Sequence, residues 1–304
     1  MSVRSTRHRL AIATLWGITA AGTANSAAAC DALVVEQPSV LRLDYDPFAS
    51  APAAGRMNFS IESRSAERCA MDIALLGPDR LPLDETEVGD TGVRVRFNAG
   101  AGDTAMAATA TPGIWRIQLD PGKRYRLSLE VVAIRDAVAE AGEHSQTLEM
   151  ELRDSGAISS SHAGNPVTFK LVSPPRAQMN IAGAAGAFGQ GAAVSRVDFG
   201  EMTANEARRV FLQVRANTIS RLTIDSANRG FLKLENGSPA ADSIGYYAIL
   251  NGIEIDLRQH YDAMFDLPRT LAGSSLPFDL RLGEVGAHVA GTYSDLITIE
   301  FSPL

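Results

Sequence analysis

The chain has 304 residues and a formal net charge of −7, with 45% of its residues hydrophobic and only 6% aromatic. That length accommodates two domains with a core each, and the apolar fraction excludes a chain too polar to fold. The acidic balance argues against nucleic acid as a partner, and so few aromatics advertise no platform for stacking sugars.

Residues 1–29 read as a secretory signal peptide. Arg4, Arg7 and Arg9 make a basic start, Leu10 to Ala21 form a short apolar core, and Ala27-Ala28-Ala29 offer a cleavage point. That core is too short to span a membrane, and no later window holds about 18 uncharged apolar residues. The mature protein is therefore expected to be exported and soluble. The two cysteines are Cys30 and Cys69. Cys30 directly follows the cleavage region, so lipidation is an alternative, but position 27 is Ala where a lipoprotein signal has Leu or Val. In an exported chain the preferred reading of two cysteines is a disulfide. It would close a loop of about 40 residues, on the order of 4 kcal/mol in the chain-entropy account.

From Cys30 onward the pattern is β. Leu33-Val34-Val35 and Val40 to Leu43 read as short strands either side of Pro38, and Tyr45-Asp46-Pro47-Phe48 leads into the small-residue loop 49–55. Met57 to Ile61, Met71 to Leu75 and Val93 to Phe97 alternate, with Arg94 and Arg96 on the wet face. The Gly/Ala/Thr-rich stretch 98–113 reads as a long loop. Trp115 to Leu119 and Tyr125 to Val131 flank an Asp120-Pro121-Gly122-Lys123 turn. Many short strands with turn signals between them predict a sandwich. This first domain is assigned to 30–152.

Residues 153–176 form a polar, Ser- and Gly-rich linker, except for one alternating strand, Val167 to Val172, ahead of Pro174-Pro175. A lone strand must join an edge somewhere to satisfy its backbone. The second domain, 177–304, repeats the pattern. The run Gly183 to Gly191 lacks a following Gly-Lys-Ser/Thr, so it reads as a loop and not a phosphate cradle. Val197-Asp198-Phe199, Arg209 to Arg215 and Arg221 to Asp225 alternate. Asn251-Gly252 between Tyr246–Leu250 and Ile253–Leu257 is the strongest hairpin signal in the chain.

The closing strand, Leu296 to Phe301, places Ile297, Ile299 and Phe301 on one face. A weaker copy lies 149 positions earlier (Ala141 against Ala290), where Leu148, Met150 and Leu152 fall on Ile297, Ile299 and Phe301. The copy implies two related β-domains in tandem.

Catalytic motifs are absent from the pattern. Five histidines are scattered without metal-ligand spacing, no Gly-x-Ser-x-Gly occurs, and Asp46 before Pro47 suits a turn better than a carboxylate pair with Asp44. No enzyme and no cofactor is expected.

Val197-Asp198-Phe199-Gly200, the hairpin Tyr247 to Gly252 and the closing Ala290 to Asp295 resemble the spore coat protein U domain, the subunit domain of archaic chaperone–usher pili. Tyr45-Asp46-Pro47-Phe48 is similar to the same family's early motif, and Cys30 with Cys69 resembles its disulfide. The likeness covers most of the mature chain, with two departures. His144 stands where the repeat has Tyr293, and the second domain has no cysteine pair.

Two such domains in one polypeptide resemble a pilus tip adhesin. The resemblance implies immunoglobulin-like sandwiches missing a last strand, whose hydrophobic groove is filled from outside (donor-strand complementation). Implied partners are a periplasmic chaperone, an outer-membrane usher and a neighbouring pilin subunit, with a host or abiotic surface as target and the cell surface as destination. Either Val167, Phe169 and Leu171 fill the first domain's groove within the chain, or 167–172 is the first strand of the second domain. The second domain's acceptor edge falls on Leu296, Ile297, Ile299 and Phe301. Surface-binding loops are expected at the first domain's end away from the linker, at Ala51, Pro52 and Ala53 and at Met106, Ala107 and Ala108. The competing reading is a free-standing secreted binding module for carbohydrate or another surface ligand.

Overall fold

A period of two fixes which face of a strand is buried but leaves its partner open, so pairing is what folding has to decide. The computed structural model describes residues 30–100, 105–155, 164–183, 188, 194–235 and 242–304. The expected signal peptide 1–29, most of the run 183–191 and Asn236-Gly237, a second Asn-Gly turn signal in the sequence, lie outside them. Among the described residues all regular structure is β, arranged as two tandem immunoglobulin-like sandwiches.

The first sandwich opens with β1 (Ala32–Glu36), β2 (Val40–Asp44), β3 (Ala54–Ser63), β4 (Cys69–Leu76), β5 (Glu85–Glu87) and β6 (Arg94–Ala99). It continues with β7 (Met106–Ala108), β8 (Ile114–Leu119), β9 (Arg124–Ala133), β10 (Gly142–Asp154) and β11 (Asn165–Ser173). One sheet runs β1-β3-β9-β6-β5 and the other β2-β11-β10-β4-β8-β7. Met57, Phe59 and Ile61 of β3 meet Leu127, Leu129 and Val131 of β9 and, across the core, Ile73, Leu75, Ile117 and Met150. Each such side chain contributes roughly 1.5–3 kcal/mol by leaving water. The Cys30–Cys69 disulfide ties the start of β1 in one sheet to the start of β4 in the other.

The second sandwich contains β12 (Ala177–Ile181), β13 (Ala207–Ala216), β14 (Ser220–Ser226), β15 (Phe231–Leu234) and β16 (Ser243–Leu250). After these come β17 (Ile253–Ile255), β18 (Tyr261–Phe265), β19 (Ser274–Leu282), β20 (Tyr293–Ser294) and β21 (Ile297–Pro303). Its larger sheet is β12-β13-β19-β16-β15-β20, with β17 hairpinned onto β16; the smaller is β18-β14-β21. Asn251 and Gly252 both take positive φ, 49° and 84°, as the predicted two-residue hairpin requires.

The strand β11 passes into β12 through Pro174-Pro175, and the junction is well bonded. Asn217, fully buried, donates from Nδ2 to Ser173 Oγ (3.0 Å) and to the Pro174 carbonyl (3.0 Å). Its Oδ1 accepts from the Arg176 amide (2.7 Å), and its carbonyl accepts from the Ala141 amide (3.0 Å). Arg215 lies 4.6 Å over the Phe48 ring, and Arg176 pairs with Asp46 at 2.8 Å. Burial pulls Arg215 below the ordinary guanidinium value, and nearby Asp46 opposes it.

Candidate functional site

In the first sandwich, β10 is bonded on both edges. It pairs antiparallel with β4 through Glu149–Asp154 and with β11 through Gly142–Met150. Its inward residues Leu148, Met150 and Leu152 are consequently buried, at 1%, 0% and 4% exposure. On its far side β11 pairs in parallel with β2, Leu171 opposite Leu43. Val167, Phe169 and Leu171 are each completely buried in the first core, and the Phe169 ring packs 5.0 Å from that of Phe97.

The equivalent strand of the second sandwich, β21, is bonded on one edge among the described residues. It pairs antiparallel with β14 from Ser226–Ile297 to Ser220–Pro303, and among the described residues no strand pairs with its other edge. Ile297, Ile299 and Phe301 are half-buried, packed on the second core without being closed in, and Leu296 is 67% exposed. Beside this edge lies a furrow of about 740 Å³. Ile181 of β12, Leu212 of β13, Phe278 and Leu280 of β19, and Ile297 and Ile299 of β21 form its apolar walls. Val197 and Phe199, which the alternating pattern placed on a strand, also line it, in irregular backbone. An unpaired edge over an apolar furrow is the geometry that accepts an added strand: backbone groups give affinity and alternate side chains fill the floor.

Polar groups hold the start of that edge in place. Asp295 accepts hydrogen bonds from Ser226 Oγ (2.6 Å), Tyr246 OH (2.6 Å) and the Asn228 amide (2.8 Å). Burial, with the Asp295 carboxylate beside it, pushes the Tyr246 phenol well above its usual range. Nearby, Asp242 accepts from Tyr293 OH (2.6 Å) and the Val289 amide (2.6 Å), and pairs with His288. These bonds, that from Tyr293 foremost, lower the Asp242 carboxyl to about 2, while desolvation, and after it the bond to Asp242, raises Tyr293 to about 12. The clamp fixes the segment that leads into β20. Among the described residues no group of three or more His, Cys, Asp or Glu is placed to hold a metal.

The proposed surface-binding residues are not brought together, and two expectations are corrected. Met106, expected on an exposed loop, lies in β7 and is 4% exposed, because β7 pairs with β8 and turns the side chain into the first core. Ala107 and Ala108 beside it are exposed. Ala51 and Pro52 are exposed and Ala53 half-buried, but the stretch that holds them adjoins the second sandwich and not the far end. The reason is topological. Because β2 runs parallel to β11, the chain leaving β2 emerges where β11 exits toward the second sandwich.

Sequence reasoning missed Val197 and Phe199 as furrow residues, and Asp295 and Tyr246 as their framework. A signal was present: Val197-Asp198-Phe199 stands 154 positions after Leu43-Asp44-Tyr45, the last two residues of β2 and the one that follows.

No family model matches the chain, and no curated protein sequence matches it either. Among solved structures it is similar to the CsuC–CsuE chaperone–tip adhesion subunit complex of the archaic chaperone–usher Csu pili of Acinetobacter baumannii. That match has 10% identity and a TM-score of 0.41, over 90% of this chain and 100% of that chain. CfaE, the adhesive subunit of the CFA/I fimbria of enterotoxigenic Escherichia coli, aligns at 12% identity over 88% of this chain and 93% of that one, TM-score 0.41. The CupB6 tip adhesin of Pseudomonas aeruginosa aligns at 12% identity over 90% and 93%, TM-score 0.37. At such scores and identities a likeness carries no argument about function.

Proposed function

We propose that this chain is an adhesive subunit of a chaperone–usher pilus, built from two spore coat protein U-like domains, whose second sandwich accepts a strand from another polypeptide. One observation carries the reading. Among the described residues, the place that β11 fills in the first sandwich is an open apolar furrow beside an unbonded strand edge in the second. In this reading β11 is the first domain's own complementing strand, with Val167, Phe169 and Leu171 as its plugs. The acceptor edge is Leu296, Ile297, Ile299 and Phe301. The chain is exported through its signal peptide, held in the periplasm by a chaperone, passed to an usher and displayed on the cell surface. There the first domain contacts a host or abiotic surface, and no chemistry is performed.

Expression of the mature chain tests this. Alone it aggregates or shows a labile second sandwich; with a pilus chaperone, or with an added peptide of alternating apolar residues, it becomes a soluble monomer with a stabilised second transition. A mature chain whose second sandwich is equally stable with and without such a strand would overturn the proposal.

A further inference from the structure

We infer that the second sandwich carries a plug of its own: the Tyr246 ring fills the middle of the furrow, so the strand it accepts must place a small residue there. This rests on the proposed acceptor role and names the kind of donor that the role selects.

The ladders fix which residues of the two sandwiches correspond. β13 stands 153 positions after β3, and both are ten residues long. Gly55 of β3 lies opposite Val131 of β9, and Arg208 of β13 lies opposite Leu280 of β19, so Val131 and Leu280 match. On the next strand Phe97 lies opposite Val131, and Ala248 lies opposite Leu280. Two residues earlier, Val95 lies opposite Ala133, and Tyr246 lies opposite Leu282. The first sandwich therefore has a smaller residue followed by a large one, Val95 and Phe97. The second reverses the order, with Tyr246 and Ala248.

In the first sandwich that order suits an inserted ring. Phe169 of β11 stands opposite Gln146 of β10, and its ring packs 5.0 Å from that of Phe97. In the second, Asp295 stands at the place of Gln146, 149 positions on, and Ala248 brings no ring. Tyr246 instead reaches across from the larger sheet. Its hydroxyl donates to Asp295 Oδ2 (2.6 Å), and the residue lines the furrow at 6% exposure. A side chain that spans from β16 to the head of β21 stands in the room that Phe97 and Phe169 share in the first sandwich.

The ring is held there. Asp295 also accepts from Ser226 Oγ (2.6 Å) and from the amides of Asn228 (2.8 Å) and Leu296 (2.8 Å), so carboxylate and phenol are both satisfied. A bulky donor residue opposite Asp295 has to break the bond to Tyr246 and strand a buried hydroxyl, which is costly. Glycine or alanine leaves the bond intact. Beside Ile297 and Ile299 the walls are apolar, and large donor side chains fit. The partner is thus a strand with large apolar residues opposite Ile297 and Ile299 and a small one opposite Asp295. A second copy of this chain is a poor donor, because its β11 presents Phe169 at that point.

The test appends residues 156–173 of this chain after Leu304, the counterpart of Ser155, in two versions. One graft keeps the copied phenylalanine, and the other has alanine in its place. Amide exchange of the graft itself is compared between them. In the otherwise unaltered chain the alanine graft is expected to exchange about tenfold more slowly than the phenylalanine graft. Tyr246→Val together with Ala248→Phe installs the first sandwich's pair and is expected to reverse the order. Tyr246→Phe keeps the core filled but frees the ring from Asp295, and is expected to narrow the preference about threefold. A phenylalanine graft protected as well as the alanine graft in the unaltered chain, or a preference that neither variant changes, overturns the built-in plug while the acceptor role stands. A chain that protects neither graft overturns both.

Discussion

One chain builds nearly the same sandwich twice, and among the described residues only the first has its late strand bonded on both edges. Leu148, Met150 and Leu152 sit on β10, between two bonded neighbours, and are dry; Ile297, Ile299 and Phe301 occupy the same places on β21 and are half wet. The side chains are alike, so composition does not explain the difference. What differs is one strand, β11, which supplies three buried apolar side chains and closes backbone ladders on both sides. Burial in a sandwich is thus a property of neighbours more than of the residue that is buried.

The sharpest way to break the comparison is to remove the first sandwich's filling. Phe169→Ala is expected to cost about 3–5 kcal/mol, since the residue is wholly enclosed, whereas Ile299→Ala in the chain alone is expected to cost about 1 kcal/mol. Urea unfolding measures both. Appending residues 156–173 after Leu304, the counterpart of Ser155, should raise the Ile299→Ala cost toward the usual core value.

Next in size is the disulfide. Replacing Cys30 and Cys69 together by Ser should lower the first transition by roughly 4 kcal/mol and leave the second where it is, which calorimetry can resolve. Asn217→Ala should follow, at about 2 kcal/mol, because it strands the Pro174 carbonyl and the Arg176 amide in the junction and removes a donor from Ser173 Oγ; both transitions should feel it.

The smallest effect concerns acid. Asp242 titrates near 2 in the folded chain against an ordinary 3.8, so its contribution is present above about 4 and lost as pH falls toward 2. Asp242→Asn should lower the second transition slightly at neutral pH and flatten its acid dependence over that window, with the first transition unaffected. A thermal melt series across that range reads both.

Much of this was legible in residue order. The period of two located most strands, the copy 149 positions apart exposed the tandem design, and Asn251-Gly252 marked its hairpin. What local pattern could not carry was partnership. Leu33–Val35 and Val40–Leu43 are neighbours in the chain, yet they enter opposite sheets. Met106 read as loop because a three-residue edge strand leaves almost no periodic signal, while its burial comes from β8. The furrow's lining divides in the same way. Ile297 and Ile299 announce their shared face, but Val197 and Phe199 line the furrow from irregular backbone, outside any strand.

The two-proline passage from β11 to β12 has a mechanical consequence. Anything that tugs on the second sandwich hauls β11 along its own length, between β10 and β2. A strand held on both sides and dragged lengthwise behaves as a lap joint in shear, with many rungs bearing load at once. The same splice that joins the two halves therefore resists being peeled open rung by rung.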